Sequence, residues 1–153
     1  MRDGQVRQAV EGDLAAIAAL EARAFPGLSY PYFALRQLFD VHGHHMLVSA
    51  GTGGLYGYAL LAGDGSGRSW LLSLAVERTH RQRGHGRSLL DAVLSRADDR
   101  GLGAVWLSVA PDNHPALRLY EASGFCLVER HSDYLGPSQE RLLMVRAAPL
   151  RSP

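Results

Sequence analysis

The chain has 153 residues, of which 46% are hydrophobic and 20% charged, and its formal net charge is +1. These values are ordinary for one globular domain that buries a hydrophobic core. A net charge so close to zero argues against a general nucleic-acid binder, and the positive charge of interest is local, in the stretch from Arg78 to Arg87.

Hydrophobic periodicity and turn signals predict alternating strands and helices along the chain. In chain order they are a strand at 5–9, helices at 14–25 and 31–42, strands at 46–50, 55–62 and 70–76, a helix at 84–100, a strand at 104–109, a helix at 114–123, and strands at 125–131 and 141–146. Asp13 is the expected N-cap of the first helix, which ends at Phe25-Pro26-Gly27. Asn113 is the expected cap of the last helix, whose first turn tolerates Pro115.

Apolar side chains at helical spacing predict which helix faces are buried. They are Phe33, Leu35, Leu38 and Phe39 in the second helix, and Leu89, Leu90, Val93, Leu94 and Ala97 in the third. Cys126 follows Phe125 in an apolar strand, so we expect it to be a small core residue.

This pattern predicts an α/β sandwich in one domain over residues 1–146, with a frayed tail at 147–153. The sheet is expected to be mixed and mostly antiparallel, with about seven strands flanked by about four helices. No apolar run approaches the ~18 residues of a membrane span, and the N-terminus has no signal-peptide pattern. A single cysteine cannot form an internal disulfide, which fits a cytoplasmic location. The oligomeric state stays open.

The most informative motif is Arg-Gln-Arg-Gly-His-Gly-Arg at 81–87. An apolar strand precedes it and a helical pattern follows it, so a strand runs into a basic, glycine-containing loop that opens a helix. Backbone N–H groups at a helix start lack intrahelical partners, and the helix dipole adds positive potential there. This arrangement favours an anionic phosphate, to which Gly84 and Gly86 would let the backbone come close.

Two common phosphate-binding fingerprints do not fit this loop. The dinucleotide fingerprint requires a third glycine at the position of Leu89, and the nucleotide-triphosphate loop requires a Gly-Lys pair, which the chain lacks.

A second motif, at 113–125, reads Asn-His-Pro-Ala-Leu-Arg-Leu-Tyr-Glu-Ala-Ser-Gly-Phe. In this order, with a helix and a strand between them, the two motifs resemble the GNAT superfamily of acetyl-CoA-dependent N-acetyltransferases. The loop at 81–86 is similar to its pyrophosphate-binding motif, and 113–125 to its N-x-x-A-x-x-x-Y-x-x-x-G-F helix. The resemblance extends from the strand near Val6 to the strand that ends near Arg146.

The resemblance implies that acetyl-CoA lies with its pyrophosphate over the loop and its pantetheine along the exposed edge of the strand at 70–76. A splayed strand edge offers N–H and C=O groups to the amides of pantetheine. The implied cofactor-binding residues are Leu74, Ala75, Val76, Arg81, Gln82, Arg83, Gly84, His85, Gly86, Arg87 and Asn113. Core packing and helix capping are the structural alternatives for Leu74, Val76 and Asn113.

Tyr120 is the implied catalytic residue, because the equivalent tyrosine of the family lies near the sulfur of CoA. A phenol with an ordinary pKa of about 10 can donate a proton to a leaving thiolate. The alternative is a buried aromatic residue whose hydroxyl is satisfied within the fold.

The wider pattern resembles the RimI-type branch, which acetylates protein N-terminal amines, but it departs from that branch at two points. The branch carries a general-base glutamate in the triplet L-E-V, where this chain has Leu107-Ser108-Val109, and a Tyr-Tyr pair where this chain has Tyr134-Leu135. We expect Ser108 and Tyr134 to contact the acceptor, and the loops at 27–32 and 132–140 to select it.

The expected reaction is acetyl transfer to a primary amine, either a protein or peptide N-terminus or a small molecule. An α-amine, with a pKa of about 7.7–8.0, needs little help from a base, whereas a lysine amine at about 10.4 needs far more. A replacement base acting through water has four candidates by position: Glu77, His114, Glu129 and His131. The alternative is a non-catalytic acyl-CoA-binding sensor or partner domain.

A metal site is not expected. His42, His44 and His45 stand close together, but no cysteine or carboxylate accompanies them at site spacing, and a solvated turn explains them.

Overall fold

The computed structural model describes residues 3–150. Its main elements, in chain order, are β1 (Gln5–Gln8), α1 (Leu14–Ala24), α2 (Tyr32–His42), β2 (Met46–Gly51), β3 (Gly54–Gly63), β4 (Arg68–Val76), α3 (His85–Asp99), β5 (Ala104–Val109), α4 (His114–Ala122), β6 (Cys126–His131) and β7 (Arg141–Arg146). Every predicted strand and helix is present, with ends that differ from the prediction by at most two residues. The predicted tail forms no helix or strand over 147–150, and 151–153 lie outside the described residues.

The strands form one mixed sheet in the order β1-β2-β3-β4-β5-β7-β6. The pairs β1/β2, β2/β3, β5/β7 and β6/β7 are antiparallel, and β4/β5 is parallel. The α/β class and the mostly antiparallel sheet are therefore confirmed. The chain forms two compact units: the first unit holds the described residues up to Ala62 and Ser73–Arg96, and the second holds Gly63–Leu72 and the described residues from Ala97 onward.

Helices cover both faces of the sheet in the first unit. A Cβ added to Gly57 of β3 would lie 3.0 Å from Leu89, so this residue faces α3. Neighbouring strand residues point to opposite faces, and the hydroxyl of Tyr58 accordingly meets Glu21 of α1 on the other side. The predicted apolar face of α3 is confirmed, since each of its members is at most 5% exposed: Leu89, Leu90, Val93, Leu94 and Ala97.

The predicted apolar side of α2 is wrong at one position. Leu35 is fully buried and Leu38 and Phe39 are half-buried, but Phe33 is 68% exposed. Two helical residues that are two positions apart point in nearly opposite directions, about 200° around the axis. Burial of Leu35 therefore turns Phe33 toward solvent.

In the second unit, β5 alternates as a strand with one buried face. Val105, Leu107 and Val109 are at most 5% exposed, and the residues between them are half-buried. The expectation that Cys126 belongs to the core is wrong, because its side chain is exposed. The reason is its strand: β6 is the last strand of the sheet, and all its residues are exposed.

Two glycines of the second unit allow a test of the packing at the start of β5. Gly65 and Gly103 share a left-handed backbone, with φ of +80° and +78°. A Cβ at Gly65 would meet nothing within 4 Å, whereas one at Gly103 would lie 1.6 Å from the carbonyl oxygen of Gly67. We expect Gly65→Ala to lower the free energy of unfolding by about 1–2 kcal/mol, and Gly103→Ala to lower it by clearly more. Urea denaturation measures both, and equal losses would contradict the close packing.

Candidate active site

The strand that leads into the arginine-rich loop has one open edge. The ladder between β4 and β5 is short and ends at the pair Trp70–Trp106, although β4 continues to Val76. Beyond Trp70, no described strand pairs with this edge of β4. On the other edge, β3 approaches so closely that a Cβ at Gly57 would lie 2.8 Å from the carbonyl oxygen of Ala75. The end of β4 thus has one edge that no described strand pairs with, and the cofactor role of Leu74, Ala75 and Val76 there stays a prediction.

One of these backbone groups already has a partner. The carbonyl oxygen of Val76 accepts a hydrogen bond from Nε of Arg81 at 3.2 Å. This contact folds the loop back onto the end of β4 and directs one arginine toward the open strand edge. The sequence offers no signal for it, because it depends on the path of the loop.

Two residues of the loop before α3 have a left-handed backbone. Gln82 has a φ of +64° and Gly84 a φ of +86°. Such turns orient successive N–H groups toward one concave surface, which binds anions. The conformation explains why glycine occupies position 84, and it places Gln82, a non-glycine residue, in a region that L-residues seldom adopt. Gly86 lies in the first turn of α3 and needs no positive φ.

The first turn of α3 leaves backbone donors available. Its first intrahelical bond joins the N–H of Ser88 to the carbonyl of Gly84 at 3.0 Å. The N–H groups of Gly86 and Arg87 therefore precede the hydrogen-bonded ladder. With the dipole of a 15-residue helix behind them, they can hold a phosphate.

The arginines around the loop differ in how much of their charge is available. Arg87 pairs with Asp91 one turn later in α3, at 3.2 Å. Arg78 and Arg83 are exposed and form no ion pair with any residue between 3 and 150. Arg81, which bonds only a neutral carbonyl, and Arg83 thus keep charges on the loop that no described carboxylate pairs with.

His85 contributes to the loop through its backbone, while its side chain belongs to the packing beneath. The imidazole is 5% exposed, and its Nδ1 lies 3.2 Å from Oγ of Ser49. The ring of Tyr56 is stacked on His80 at 4.1 Å and tilted against His85 at 5.2 Å, and the two imidazoles meet edge-on at 6.1 Å. These packed rings support the first turn of α3.

Tyr120, in the second unit, is 8% exposed and packs against the ring of Phe125 at 5.7 Å. Burial raises the pKa of Tyr120 to about 12. None of the described residues forms a hydrogen bond with its hydroxyl that would satisfy it within the fold. The phenol therefore stays protonated through the neutral and mildly alkaline range and can donate to a ligand.

Asn113 caps α4 as predicted. Its Oδ1 accepts a hydrogen bond from the N–H of Ala116 at 3.3 Å. Capping uses the amide oxygen and leaves the NH₂ group, at an exposed position, for any further contact.

Ser108 is half-buried on β5, opposite Leu143 of β7. Leu143 in turn lies opposite Glu129 of β6, so these three residues share one row and one face of the sheet. Two strand spacings, about 10 Å, separate the Cα atoms of Ser108 and Glu129. Tyr134 is half-buried in the turn after β6, with its ring 5.4 Å from His131.

The other predicted replacements for a base are less favourable. Glu77 forms an ion pair with Arg23, and His114 is exposed at the first position of α4. Glu129 is the candidate that the register brings into line with Ser108.

Sequence reasoning missed the carboxylate of Glu21, which is 1% exposed in the first unit. Oε1 accepts hydrogen bonds from the hydroxyls of Tyr58 and Ser73, the latter at 2.5 Å, and Oε2 accepts one from the N–H of Tyr30 at 3.1 Å. The available signal was its spacing: Leu14, Ile17 and Glu21 recur on one helix face.

Metal and membrane sites find no support in residues 3–150. Over that range, no cluster of three or more histidine, cysteine, aspartate or glutamate side chains is arranged to hold a metal ion. Likewise, the helices of this range are too short or too polar to traverse a lipid bilayer.

Comparison with known proteins gives a family match. A family model described as "Acetyltransferase (GNAT) family" matches residues 14–125.

Curated relatives match over shorter stretches. The [ribosomal protein bS18]-alanine N-acetyltransferase of Escherichia coli K12 is 36% identical over 55 residues, which are 36% of this chain and 37% of the relative. N-alpha-acetyltransferase 60 of Drosophila melanogaster is 39% identical over 71 residues, 42% of this chain and 26% of the relative. The mycothiol acetyltransferase of Corynebacterium aurimucosum is 40% identical over 65 residues, 42% of this chain and 21% of the relative. These matches thus span well under half the length of the relatives.

Solved structures share the fold over nearly the whole chain. Ard1 from Thermoplasma volcanium superposes with a TM-score of 0.89 at 23% identity, covering 97% of this chain and 99% of that one. The ribosomal-protein-S18-alanine N-acetyltransferase from Escherichia coli gives a TM-score of 0.83 at 20% identity, covering 97% and 96%.

Proposed function

We propose that this chain, which belongs to the acetyltransferase (GNAT) family, transfers an acetyl group from acetyl-CoA directly to a primary amine. The observation that carries the proposal is the junction of β4, the loop and α3. It combines an open strand edge with left-handed residues at 82 and 84 and with the N-terminus of a 15-residue helix. A ligand that has both an anionic phosphate and an amide-containing arm fits these two features together.

The residues of the first unit would hold the two parts of acetyl-CoA in different ways. The N–H groups of Gly84, Gly86 and Arg87 and the guanidinium of Arg83 would bind the pyrophosphate, because both present donors to an anion. The open edge of Leu74 to Val76 would pair with the pantetheine amides. The side chains of β4 remain free to pack, since the backbone does the binding.

Tyr120 is the proposed general acid. The amine nitrogen forms a bond to the acetyl carbon, the carbon–sulfur bond breaks, and the sulfur leaves as a thiolate. The phenol of Tyr120 then donates its proton to that thiolate, and the proton lost from the amine passes to water. A pKa of about 12 keeps the donor loaded at neutral pH.

The proposed acceptor is the N-terminal amine of a protein or peptide. Ser108 supplies no group that can accept a proton near neutral pH, so an acceptor amine that is already partly neutral suits the site. The names of the bS18-alanine and N-alpha relatives support this class. A small-molecule amine is the second candidate, favoured by the similarity to a mycothiol acetyltransferase. A cytoplasmic location, where acetyl-CoA is available and Cys126 stays reduced, belongs to the same proposal.

Cofactor binding can be tested through stability. Acetyl-CoA at a hundredfold over its Kd should stabilise the protein by about 2.7 kcal/mol, which is roughly 5–10 °C in Tm for a chain of this size. Gly84→Val should abolish this shift, because the left-handed turn and the close approach are lost. Gly65→Val is the matched control, since it imposes the same backbone strain in the β3–β4 turn. A wild-type protein whose Tm does not respond to acetyl-CoA or CoA would refute the proposal.

The acid role of Tyr120 predicts a loss in kcat with little change in cofactor affinity. Tyr120→Phe keeps the packing against Phe125 and removes the proton, so kcat should fall about 10²–10⁴-fold. Because the pKa of the phenol is raised, wild-type kcat should not decline between pH 7 and pH 10 through loss of this proton. Steady-state kinetics across this range decides. A decline below pH 10 that disappears in Tyr120→Phe would contradict the raised pKa.

The serine at position 108, where the resembling branch has a glutamate, predicts how the choice of acceptor amine can be changed. Ser108→Glu should increase turnover of a lysine-type amine by up to about 10²-fold and that of an α-amine by less, because the α-amine is already partly neutral. Ser108→Gln, similar in size but without a base, should give no such gain. The measurement is thiol release from acetyl-CoA with matched peptides. Loss of activity on every amine would mean that Ser108 is itself fitted to the acceptor.

A further inference from the structure

Glu21 is a buried charge that the proposed reaction does not use. Its carboxylate lies in the first unit among three donors: the hydroxyls of Tyr58 and Ser73 and the backbone N–H of Tyr30. Burying a carboxylate is unfavourable unless hydrogen bonds replace its water, and here both oxygens are engaged. An apolar residue would fill the same space on the inner face of α1 without that requirement, so the carboxylate calls for a specific explanation.

The two oxygens connect different parts of the first unit. Oε1 is held by side chains of β3 and β4, and Ser73 directly precedes Leu74, where the proposed pantetheine edge begins. Oε2 accepts from the backbone of Tyr30, in the connection between α1 and α2. Glu21 therefore joins this connection to the end of β4.

The connection between the two helices has few other hydrogen bonds. Within 26–30, the other backbone bond formed with described residues is local, from the N–H of Leu28 to the carbonyl of Phe25 at 3.1 Å. The bond from Tyr30 to Glu21 thus ties the end of this segment to α1 and, through the other oxygen of Glu21, to the sheet. The phenol of Tyr30 is half-buried, and burial and then the charge of Glu21 raise its pKa.

We propose that Glu21 is a positioning residue that fixes the acceptor loop, residues 26–30, to the strand edge that carries the cofactor arm. The proposal rests on the proposed function together with the expectation from the sequence that the loop at 27–32, which overlaps residues 26–30, selects the acceptor. Glu21 touches neither reacting group. It acts by holding the backbone at Tyr30 in place, so that the acceptor amine meets an ordered loop and does not have to order it on binding.

A structural role in the core must be separated from the role in the loop. The variant Glu21→Leu/Tyr58→Phe/Ser73→Ala replaces the carboxylate and both hydroxyls by apolar groups, which leaves no unpaired side-chain polar atom among the three and limits the loss of stability. The N–H of Tyr30 still loses its acceptor. Asp98→Asn is the control for a carboxylate outside the loop, since Asp98 binds Arg146 in the second unit.

Hydrogen–deuterium exchange tests the tether without any assumption about the reaction. In the wild-type protein, the Tyr30 amide should exchange more slowly than those of Gly27 and Ser29, which have no such bond. In the triple variant, it should exchange about tenfold faster or more, as expected for loss of a hydrogen bond to a charged group. In Asp98→Asn it should not change. A wild-type Tyr30 amide without protection overturns the proposal, even if the triple variant fails to fold.

Kinetics tests the consequence for the acceptor. The triple variant should raise KM for a peptide amine about tenfold and leave the Kd for acetyl-CoA within about twofold, because the tether orders only the acceptor loop. A purely structural residue would lower the active fraction and leave both constants unchanged, and that result would overturn the proposal. If no amine is acetylated by the wild-type protein, the proposed function fails, and the exchange experiment still decides whether Glu21 tethers the loop.

Discussion

The open edge of β4 is the constraint on which the proposed chemistry depends. A strand edge with unpaired N–H and C=O groups is a liability in a folded protein, because other strands can add to it. Here β4 leaves its ladder with β5 at Trp70 and runs on to Val76, where Arg81 satisfies one carbonyl. The remaining groups form a short, polar template beside a helix start, which suits a linear ligand with amides and a phosphate.

Around this edge, the proposed phosphate site of the first unit is formed mainly by backbone groups and only to a small extent by side chains. Gln82 and Gly84 turn the chain through left-handed conformations, and the N–H groups that open α3 follow directly. The side chain of His85 is buried with Ser49 and Tyr56, where it supports the turn. Backbone recognition of this kind tolerates many side chains, and it explains why two glycines and a few arginines could carry so much of the sequence signal.

Features that depend on residues close together in the sequence are predictable, whereas contacts between distant segments are not. Helix and strand positions and the cap at Asn113 depend on neighbours within a few residues, and they were predicted correctly. Contacts between distant segments were not. Cys126 looked like core because its strand is apolar, but the strand lies at the sheet edge. Glu21 was hidden because its partners lie 9, 37 and 52 residues away along the chain.

The acid–base properties of Tyr120 and Ser108 together favour one class of acceptor. Burial raises the pKa of Tyr120 to about 12, so the proposed donor stays protonated at neutral pH. Ser108 cannot take a proton from the amine, and Glu129 lies two strand spacings, about 10 Å, away in the same row. The proposed reaction thus has a group that donates a proton, Tyr120, but no group at Ser108 that accepts one. An amine that is already neutral in a fraction of about a tenth near pH 7 removes that imbalance, and an α-amine is such a group. In the proposed reaction, the absence of a carboxylate at Ser108 therefore favours an α-amine over a lysine-type acceptor.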